Sequence, residues 1–87
     1  MRTALALCAL LFVVLPVPAD ARTFGGYLCT VDCSGHAAGY LWAEQKNIDD
    51  EARCPSGPSQ SFNEGCLAYV QDTNRGADED DDGEPID

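Results

Sequence analysis

The sequence predicts a small all-α, disulfide-stabilised module with two helices, at about residues 35–46 and 62–73, an extended N-terminal arm and a disordered acidic tail. Three observations predict it. Four cysteines follow an export signal, two segments carry helix start and stop signals, and the last residues are almost all acidic or small. The chain has 87 residues, which allows one domain. We place that domain at residues 22–76, between a leader at 1–21 and a tail at 77–87.

The leader has the organisation of a secretory signal peptide. A short basic segment, Met1–Thr3, precedes the apolar run Ala4–Val17, and Ala19–Ala21 forms an A-x-A cleavage signal. We expect cleavage to leave Arg22 as the N-terminus of a secreted or periplasmic protein. The alternative is an uncleaved membrane anchor, but the apolar run is shorter than the ~20 residues that span a bilayer. After cleavage, no membrane association is expected.

The cysteines predict two disulfides. Cys8 lies within the leader, and Cys29, Cys33, Cys54 and Cys66 remain in a chain whose small core needs covalent support. A Cys29–Cys33 bridge would close a very small ring and leave the long loop untied, so we rank that pairing last. We prefer the nested pairing, 29–66 with 33–54. The crossed pairing, 29–54 with 33–66, stays open because the sequence does not decide between them.

Start and stop signals delimit the first helix. Ser34 is a good N-cap, because its hydroxyl can accept a hydrogen bond from a backbone N–H at the helix start. Asn47 suits the left-handed residue that ends a helix, and Ile48 would then pack back on Ala43.

A ridge of small residues, Gly35, Gly39 and Ala43, follows one side of this helix. Each helical glycine costs roughly 1 kcal/mol relative to alanine, so we expect the ridge to permit close approach of another backbone. Gly65, at the border of the apolar face of the second helix, is the expected contact. Apolar residues cover most other sides of the first helix, which predicts that it is the central element.

The second helix has a capping-box signature, with Ser61 as N-cap and Glu64 three residues later. Asn74 and Gly76 are expected to end it. Its apolar face is predicted to carry Phe62, Cys66, Tyr69, Val70 and Thr73.

The remaining segments predict irregular structure. Residues 22–32 alternate in an extended pattern, and because no second strand candidate exists we expect an arm on the helix rather than a sheet. Residues 47–60 form a connection whose segment Pro55–Pro58 is a loop by composition.

The charge of the chain limits its partners. The formal net charge is −10, and residues 77–87 contribute seven acidic residues and no basic one. Nucleic acid and anionic membranes both need clustered lysine or arginine, so we expect neither as a partner. The composition of the tail predicts disorder. We expect a monomer.

The string CTVDCSGHAAGYLWAEQKNI, then Cys54 and then SQSFNEGCLAY, resembles a group of small exported bacterial proteins of unassigned function. Their shared pattern is C-x3-C-S-G-H-x-A-G-Y-x-W-A followed by S-F-x-x-G-C-x-x-Y. The similarity covers about residues 29–69. It implies a common small fold, but no activity and no site residues.

Cys33 and His36 are the candidate catalytic pair. A thiol at a helix N-terminus near an imidazole can be a reactive thiolate, with Cys33 as nucleophile, His36 as base and Asp32 beside them. A structural role is favoured, because a cysteine in an oxidising compartment is usually bridged. His36 could also ligate a metal, but zinc needs three or four ligands and the cysteines are assigned to disulfides. We therefore expect no cofactor, and we treat Asp32, His36, Tyr40 and Trp42 as candidate surface residues for recognition.

The tail resembles the first half of an EF-hand loop. Asp78, Asp80 and Asp82 match positions one, three and five, and Gly83 matches position six. Position twelve, which needs a bidentate glutamate, falls beyond Asp87. We expect diffuse attraction for divalent cations rather than a defined site.

The sequence as a whole favours a non-catalytic binding or structural module whose partner is an unidentified envelope or extracellular protein or ligand. One alternative is a thiol- or histidine-dependent enzyme using Cys33 and His36. The other is a low-affinity divalent-cation binder acting through the tail.

Overall fold

The structure, a computed structural model, describes residues 22–57 and 59–86. In chain order its elements are strands β1 (Thr23–Phe24) and β2 (Tyr27–Leu28), helix α1 (Ser34–Lys46), a 3₁₀ turn (Glu51–Arg53) and helix α2 (Gln60–Gln71). The predicted small helical fold with two helices and two disulfides is confirmed. The predicted signal peptide, with Cys8, lies outside the described residues.

The N-terminal arm is a β-hairpin, so the expectation of a single extended arm was wrong. Strands β1 and β2 pair antiparallel, with Phe24 opposite Tyr27. Gly25 and Gly26 form the two-residue turn, and both have positive φ, 60° and 88°. Such a turn matches the twist of paired strands and favours glycine at both positions. Each strand has only two residues, too few for an alternating pattern to reveal the pairing.

Helix α1 ends as predicted, in a left-handed residue. Asn47 has φ 53° and ψ 46°. Its N–H donates to the Glu44 carbonyl at 3.2 Å, and the Ile48 N–H donates to the Ala43 carbonyl at 3.0 Å. This pair of bonds is the Schellman motif. The predicted packing of Ile48 on Ala43 is confirmed, since both are buried in one cluster.

The start of α1 differs from the prediction. Cys33, not Ser34, is the N-cap residue. The carboxylate of Asp32 accepts hydrogen bonds from the Ser34 N–H at 3.0 Å and the Ser34 hydroxyl at 2.6 Å. The acceptor at the start of α1 is therefore the Asp32 carboxylate and not the predicted Ser34 hydroxyl.

Helix α2 begins two residues before its predicted start. The hydroxyl of Ser59, the N-cap, accepts a hydrogen bond from the Phe62 N–H at 3.1 Å. The capping box of Ser61 and Glu64 was therefore wrong, because an equally suitable serine lies two residues earlier. Glu64 is instead free to contact α1. Thr73 follows the end of α2 and is exposed.

The two helices pack through their backbones. A Cβ added to Gly39 would lie 2.8 Å from the carbonyl carbon of Phe62. A Cβ added to Gly65 would lie 2.9 Å from the backbone nitrogen of Tyr40 and closer still to the His36 carbonyl oxygen. Real Cβ atoms do not approach backbone this closely, so only glycine fits at either position. Gly65 thus approaches the backbone of α1 closely, as predicted, but at His36 and Tyr40, and the ridge residue Gly39 lies against Phe62 instead.

The disulfides pair neighbours along the chain. Cys29 bonds to Cys33, with Cα atoms 5.1 Å apart, and Cys54 bonds to Cys66, with Cα atoms 5.7 Å apart. The preferred nested pairing was wrong, and so was the low rank of Cys29–Cys33. The physical reason is that the two pairs lie in separate core clusters. The small ring secures the hairpin to the start of α1, and Cys54–Cys66 ties the long connection to α2.

Each disulfide is part of one of two hydrophobic clusters. The first surrounds Phe24 and lies between the hairpin and the helices, and the second lies near the end of α1. The buried members of the first are Phe24, Cys29, Cys33, Ala37, Tyr40 and Ala68, with Tyr69, Ala77 and Ile86 packed against it. Those of the second are Ala43, Ile48, Cys54 and Cys66, with Trp42, Leu67, Tyr69 and Val70 packed against it.

The acidic tail is folded, so the prediction of disorder was wrong for residues 77–86. An isolated antiparallel bridge joins Glu79 to Pro85, and the Ile86 N–H donates to the Asp78 carbonyl at 2.9 Å. Ile86 packs against the first cluster. The Asp81 N–H donates to the Thr23 carbonyl at 2.9 Å, which attaches the tail to the hairpin.

We predict that Gly65→Ala lowers the free energy of unfolding by about 1–3 kcal/mol, because the new methyl group overpacks the helix crossing. The higher helix propensity of alanine, about 1 kcal/mol, offsets only part of this loss. Urea unfolding with the disulfides intact measures the change. Gly57→Ala is the control, since its Cβ would meet no described atom within 4 Å. Equal urea midpoints for Gly65→Ala and the parent chain would contradict the close packing.

Trypsin digestion without reductant tests the disulfide pairing. Cleavage after Arg22, Lys46, Arg53 and Arg75 separates the peptides 23–46 and 54–75. Because each peptide contains one complete disulfide, mass spectrometry should find two separate peptides, each two hydrogen atoms lighter than its reduced form. One species containing both peptides would contradict the pairing, since nested and crossed bridges would link them.

Candidate functional site

The predicted nucleophile is not a free thiol. Cys33 is bonded to Cys29 and is fully buried. Its position at the N-cap of α1 matches the prediction, but the sulfur atom belongs to a disulfide and so cannot act as a thiolate. The hypothesis of a Cys33–His36 catalytic pair therefore requires a chain in which this disulfide is reduced.

His36 is buried between the helices rather than exposed on a recognition surface. Its Nε2 lies 2.8 Å from Oε1 of Glu64, whose other oxygen accepts from the Gln60 side chain at 2.9 Å. Nδ1 has no hydrogen-bond partner among the described residues. The arrangement suits the tautomer with hydrogen on Nε2, because a hydrogen on Nδ1 would be a buried donor without an acceptor. His36 thus links α1 to α2 and is enclosed by protein.

The other predicted surface residues also have structural contacts. Tyr40 is fully buried, and its hydroxyl donates to the Asp72 carbonyl at 3.0 Å and accepts from the Gly76 N–H at 2.8 Å. Trp42 is half-buried, with its ring centroid 5.7 Å from that of Phe62. The expectation of a recognition surface was wrong for Tyr40, because its ring fills the first cluster.

Asp32 is the one member of this predicted set that is exposed. The hydrogen bonds from the Ser34 side chain and backbone lower the pKa of the Asp32 carboxyl. Its observed contacts cap the start of α1.

The tail places Asp80 against the N-terminal hairpin instead of a cation. Arg22 Nε donates to Oδ2 of Asp80 at 2.7 Å. The other oxygen of Asp80 accepts from the N–H groups of Asp82 and Glu84, each at 2.9 Å. Asp80 is buried, whereas the other two EF-hand candidates, Asp78 and Asp82, are exposed. Both Asp80 oxygens face donors, so the loop does not present the half EF-hand arrangement that the sequence indicated.

Asp81 lies in a cradle of hydrogen-bond donors on the hairpin. The N–H of Gly25 donates to its Oδ1 and the N–H of Gly26 donates to its Oδ2, both at 2.8 Å. Arg75 Nη2 donates to Oδ1 at 2.9 Å. Successive N–H groups of residues with positive φ form a concave anion-binding surface, and the arginine adds a full positive charge. We call Arg22, Gly25, Gly26 and Arg75 the carboxylate cradle.

Packing fixes Arg75 in this cradle. Its guanidinium carbon lies 3.6 Å from the centre of the Phe24 ring, and its Nη1 donates to the Gly76 carbonyl at 2.9 Å. Only 14% of the side chain is exposed. A cation over an aromatic face is attracted by the ring, so Phe24 orients Arg75 toward the tail.

The cradle favours the ionised forms of both aspartates. The hydrogen bond from Arg22 outweighs burial and lowers the pKa of Asp80. Partial burial alone would raise the pKa of Asp81, but the bonds from Arg75, Gly26, Thr23 and Gly25 together hold it well below its usual range.

Sequence reasoning missed the cradle, although two signals for it were present. A Gly-Gly pair between aromatic residues is a hairpin signal, which the prediction of a single extended arm did not use. Arg22 and Arg75 are two of the four basic residues in 22–76, and opposite charges attract, so they were candidate partners for the acidic tail. Only the structure shows that Arg22 contacts Asp80 and that Arg75 contacts Asp81.

Comparison with known proteins finds no matching family model, no similar curated protein and no similar solved structure. Within residues 22–57 and 59–86, neither helix has the length and apolar character needed to cross a bilayer. Over the same ranges, no three His, Cys, Asp or Glu side chains are grouped as metal ligands.

We predict that Glu64→Leu lowers the free energy of unfolding by about 1–3 kcal/mol, because it leaves the buried His36 without its acceptor. Glu64→Gln should recover most of this loss, since its amide oxygen can accept the same hydrogen bond. Glu44→Leu, at an exposed position of α1, is the control. Urea unfolding at neutral pH compares the three variants. An equal loss in the leucine and glutamine variants would contradict the hydrogen-bonding role.

Acid should weaken the attachment of the tail. Because the folded-state pKa values of Asp80 and Asp81 are lowered, their ionisation stabilises the fold above the unfolded-state pKa, near 4, and this contribution disappears as pH falls through the folded-state values. The D80N/D81N variant should be less stable than the parent chain at pH 7, and the difference should shrink below pH ~4.

Thermal unfolding as a function of pH measures this difference. The control is E79Q/D82N, which loses the same two charges from exposed positions. A stability difference that is the same at pH 7 and at pH ~2 would show that the two carboxylates are not ionised partners of the cradle.

Proposed function

We propose that this chain is an exported, non-catalytic module that acts by binding or as a structural component, either in the periplasm or outside the cell. The observation that carries the proposal is that its candidate reactive groups serve the fold. Cys33 is in a disulfide, and His36 is buried against Glu64. A hydrolytic or thiol-transfer site needs such groups free and within reach of a substrate.

The proposed location has two independent supports. The leader at residues 1–21 has the features of a signal peptide, with cleavage before Arg22. Two disulfides in so short a chain are typical of proteins in oxidising compartments. The partner we propose is an envelope or extracellular protein or ligand, bound by a monomeric chain.

The contacts favour this function over its two rivals. An enzyme based on Cys33 and His36 would need a free thiol. A calcium site in the tail would need carboxylates facing a cation, whereas Asp80 faces Arg22 and Asp81 faces Arg75.

Alkylation of the exported chain tests the non-catalytic assignment. The protein is purified after export without reductant, treated with iodoacetamide in its native state, and analysed by mass spectrometry. We expect a chain that begins at Arg22 and carries no alkyl group. Alkylation at Cys33 in the native protein would contradict the non-catalytic assignment and would favour an enzyme that uses Cys33 and His36.

Cross-linking in the exporting cell tests the binding role. The chain is expressed at its native level and treated with an amine-reactive cross-linker, which has Lys46 on the exposed end of α1 as a target. A discrete adduct of constant mass supports a specific partner. Recovery of the chain only in uncross-linked form would contradict the binding role, with Lys46→Arg as the control for attachment at this position.

A further inference from the structure

The carboxylate cradle has the composition of a peptide-binding site. Its two backbone N–H groups address both oxygens of one carboxylate, and Arg75 adds a charged donor to the same group. Arg22 contacts the preceding carboxylate at 2.7 Å. Charge-assisted bonds to a planar carboxylate are stronger and more directional than neutral ones. The cradle thus presents matched donors to two adjacent acidic side chains.

The cradle is also held in shape by the rest of the fold. Gly25 and Gly26 are fixed by the hairpin, and a Cβ on Gly25 would lie 2.7 Å from the Cβ of Ala68 on α2. Phe24 is fully buried and supports Arg75. A binding site whose groups are already positioned loses little conformational entropy when its ligand binds. The three donors to Asp81, from Gly25, Gly26 and Arg75, therefore do not depend on the tail alone for their arrangement, whereas the side-chain hydrogen bonds of Arg22 all go to the tail.

We propose that the cradle is a receptor for a peptide segment of a partner protein with two adjacent aspartates, and that the chain's own Asp80-Asp81 occupies it as an intramolecular competitor. This proposal builds on the binding role proposed above and adds a partner class and a means of regulation. The partner segment would present one carboxylate to Gly25, Gly26 and Arg75 and the preceding one to Arg22.

The tail is a matched competitor because it is part of the same chain. An attached segment competes at an effective concentration of order millimolar, so a partner peptide must bind well or arrive when the tail is displaced. Asp78 and Glu79 also line the surface near the cradle and repel an acidic peptide, so added salt should weaken this repulsion by screening. The tail thereby sets a threshold for binding rather than a permanent block.

Peptide binding to the exported chain tests the proposal. The probe is a synthetic peptide with the sequence of residues 77–87, and isothermal titration measures its affinity for three proteins: the parent chain, D80N/D81N and E79Q/D82N. The first variant removes the competing carboxylates. The second loses the same two charges but keeps Asp80 and Asp81, so it controls for reduced repulsion of an acidic peptide.

The proposal predicts that D80N/D81N binds the peptide at least about tenfold more tightly than either the parent chain or E79Q/D82N. A probe peptide with asparagine at the positions of Asp80 and Asp81 should lose this advantage, and one with Gln and Asn at the positions of Glu79 and Asp82 should keep it. Equal affinities for the three proteins, or for the two altered peptides, would overturn the proposal.

A second variant and a second measurement keep the test valid if D80N/D81N does not fold. If D80N/D81N lacks the helical circular dichroism of the parent chain, Asp81→Asn alone keeps the contact between Arg22 and Asp80 and is expected to show the same order of affinities. In either variant, the amide resonances of Gly25 and Gly26 should shift toward their parent positions on addition of the peptide. Unchanged glycine resonances at saturating peptide would also overturn the proposal. Failure here leaves the alkylation result standing, so the two proposals fail separately.

Discussion

The contact of backbone with backbone where α1 crosses α2 is the constraint on which the other contacts depend. Gly39 lies against the Phe62 carbonyl, and Gly65 lies against His36 and Tyr40. This approach sets the position of His36 against Glu64 and of Tyr40 against Asp72. In a chain with so few large apolar residues, the close approach lets two short helices enclose both core clusters. The destabilising glycines of α1 are thereby explained by packing.

The disulfides attach to the two packed helices the segments that lie outside them. Cys29–Cys33 joins the hairpin to the start of α1, and Cys54–Cys66 joins the connection to α2. Restricting the unfolded chain in this way contributes about 2–3 kcal/mol per bridge, the shorter ring contributing less. The hairpin in turn carries the cradle and receives the tail. The order of dependence therefore runs from the helix crossing to the disulfides, then to the hairpin and finally to the tail.

Local signals could be predicted from the sequence, and contacts between distant segments could not. Residue spacing predicted both helices, the end of α1 at Asn47 and the approach of Gly65 to α1. Each of these features depends on contacts within a few residues or on one helical face. The predicted nested disulfide pairing was wrong because the length of a loop does not show which core cluster a cysteine occupies. The prediction of a disordered tail was wrong for a related reason. Composition does not show that Arg22, which is 58 residues from Asp80 along the chain, lies beside Asp80 in the fold. Cys33 lies at the start of α1 as predicted, but neither its disulfide nor the burial of His36 could be predicted from their spacing along the helix.

The most direct test is the distance between the helix backbones at their crossing, measured by nuclear Overhauser effects in the oxidised chain. The account predicts strong cross-peaks from the Gly65 α-protons to the Tyr40 amide proton and from the Gly39 α-protons to the Phe62 α-proton. These cross-peaks arise only when the backbones are in van der Waals contact. Helical signals for both segments without either cross-peak would contradict the account, because the helices would then pack through side chains and glycine would have no role at the crossing.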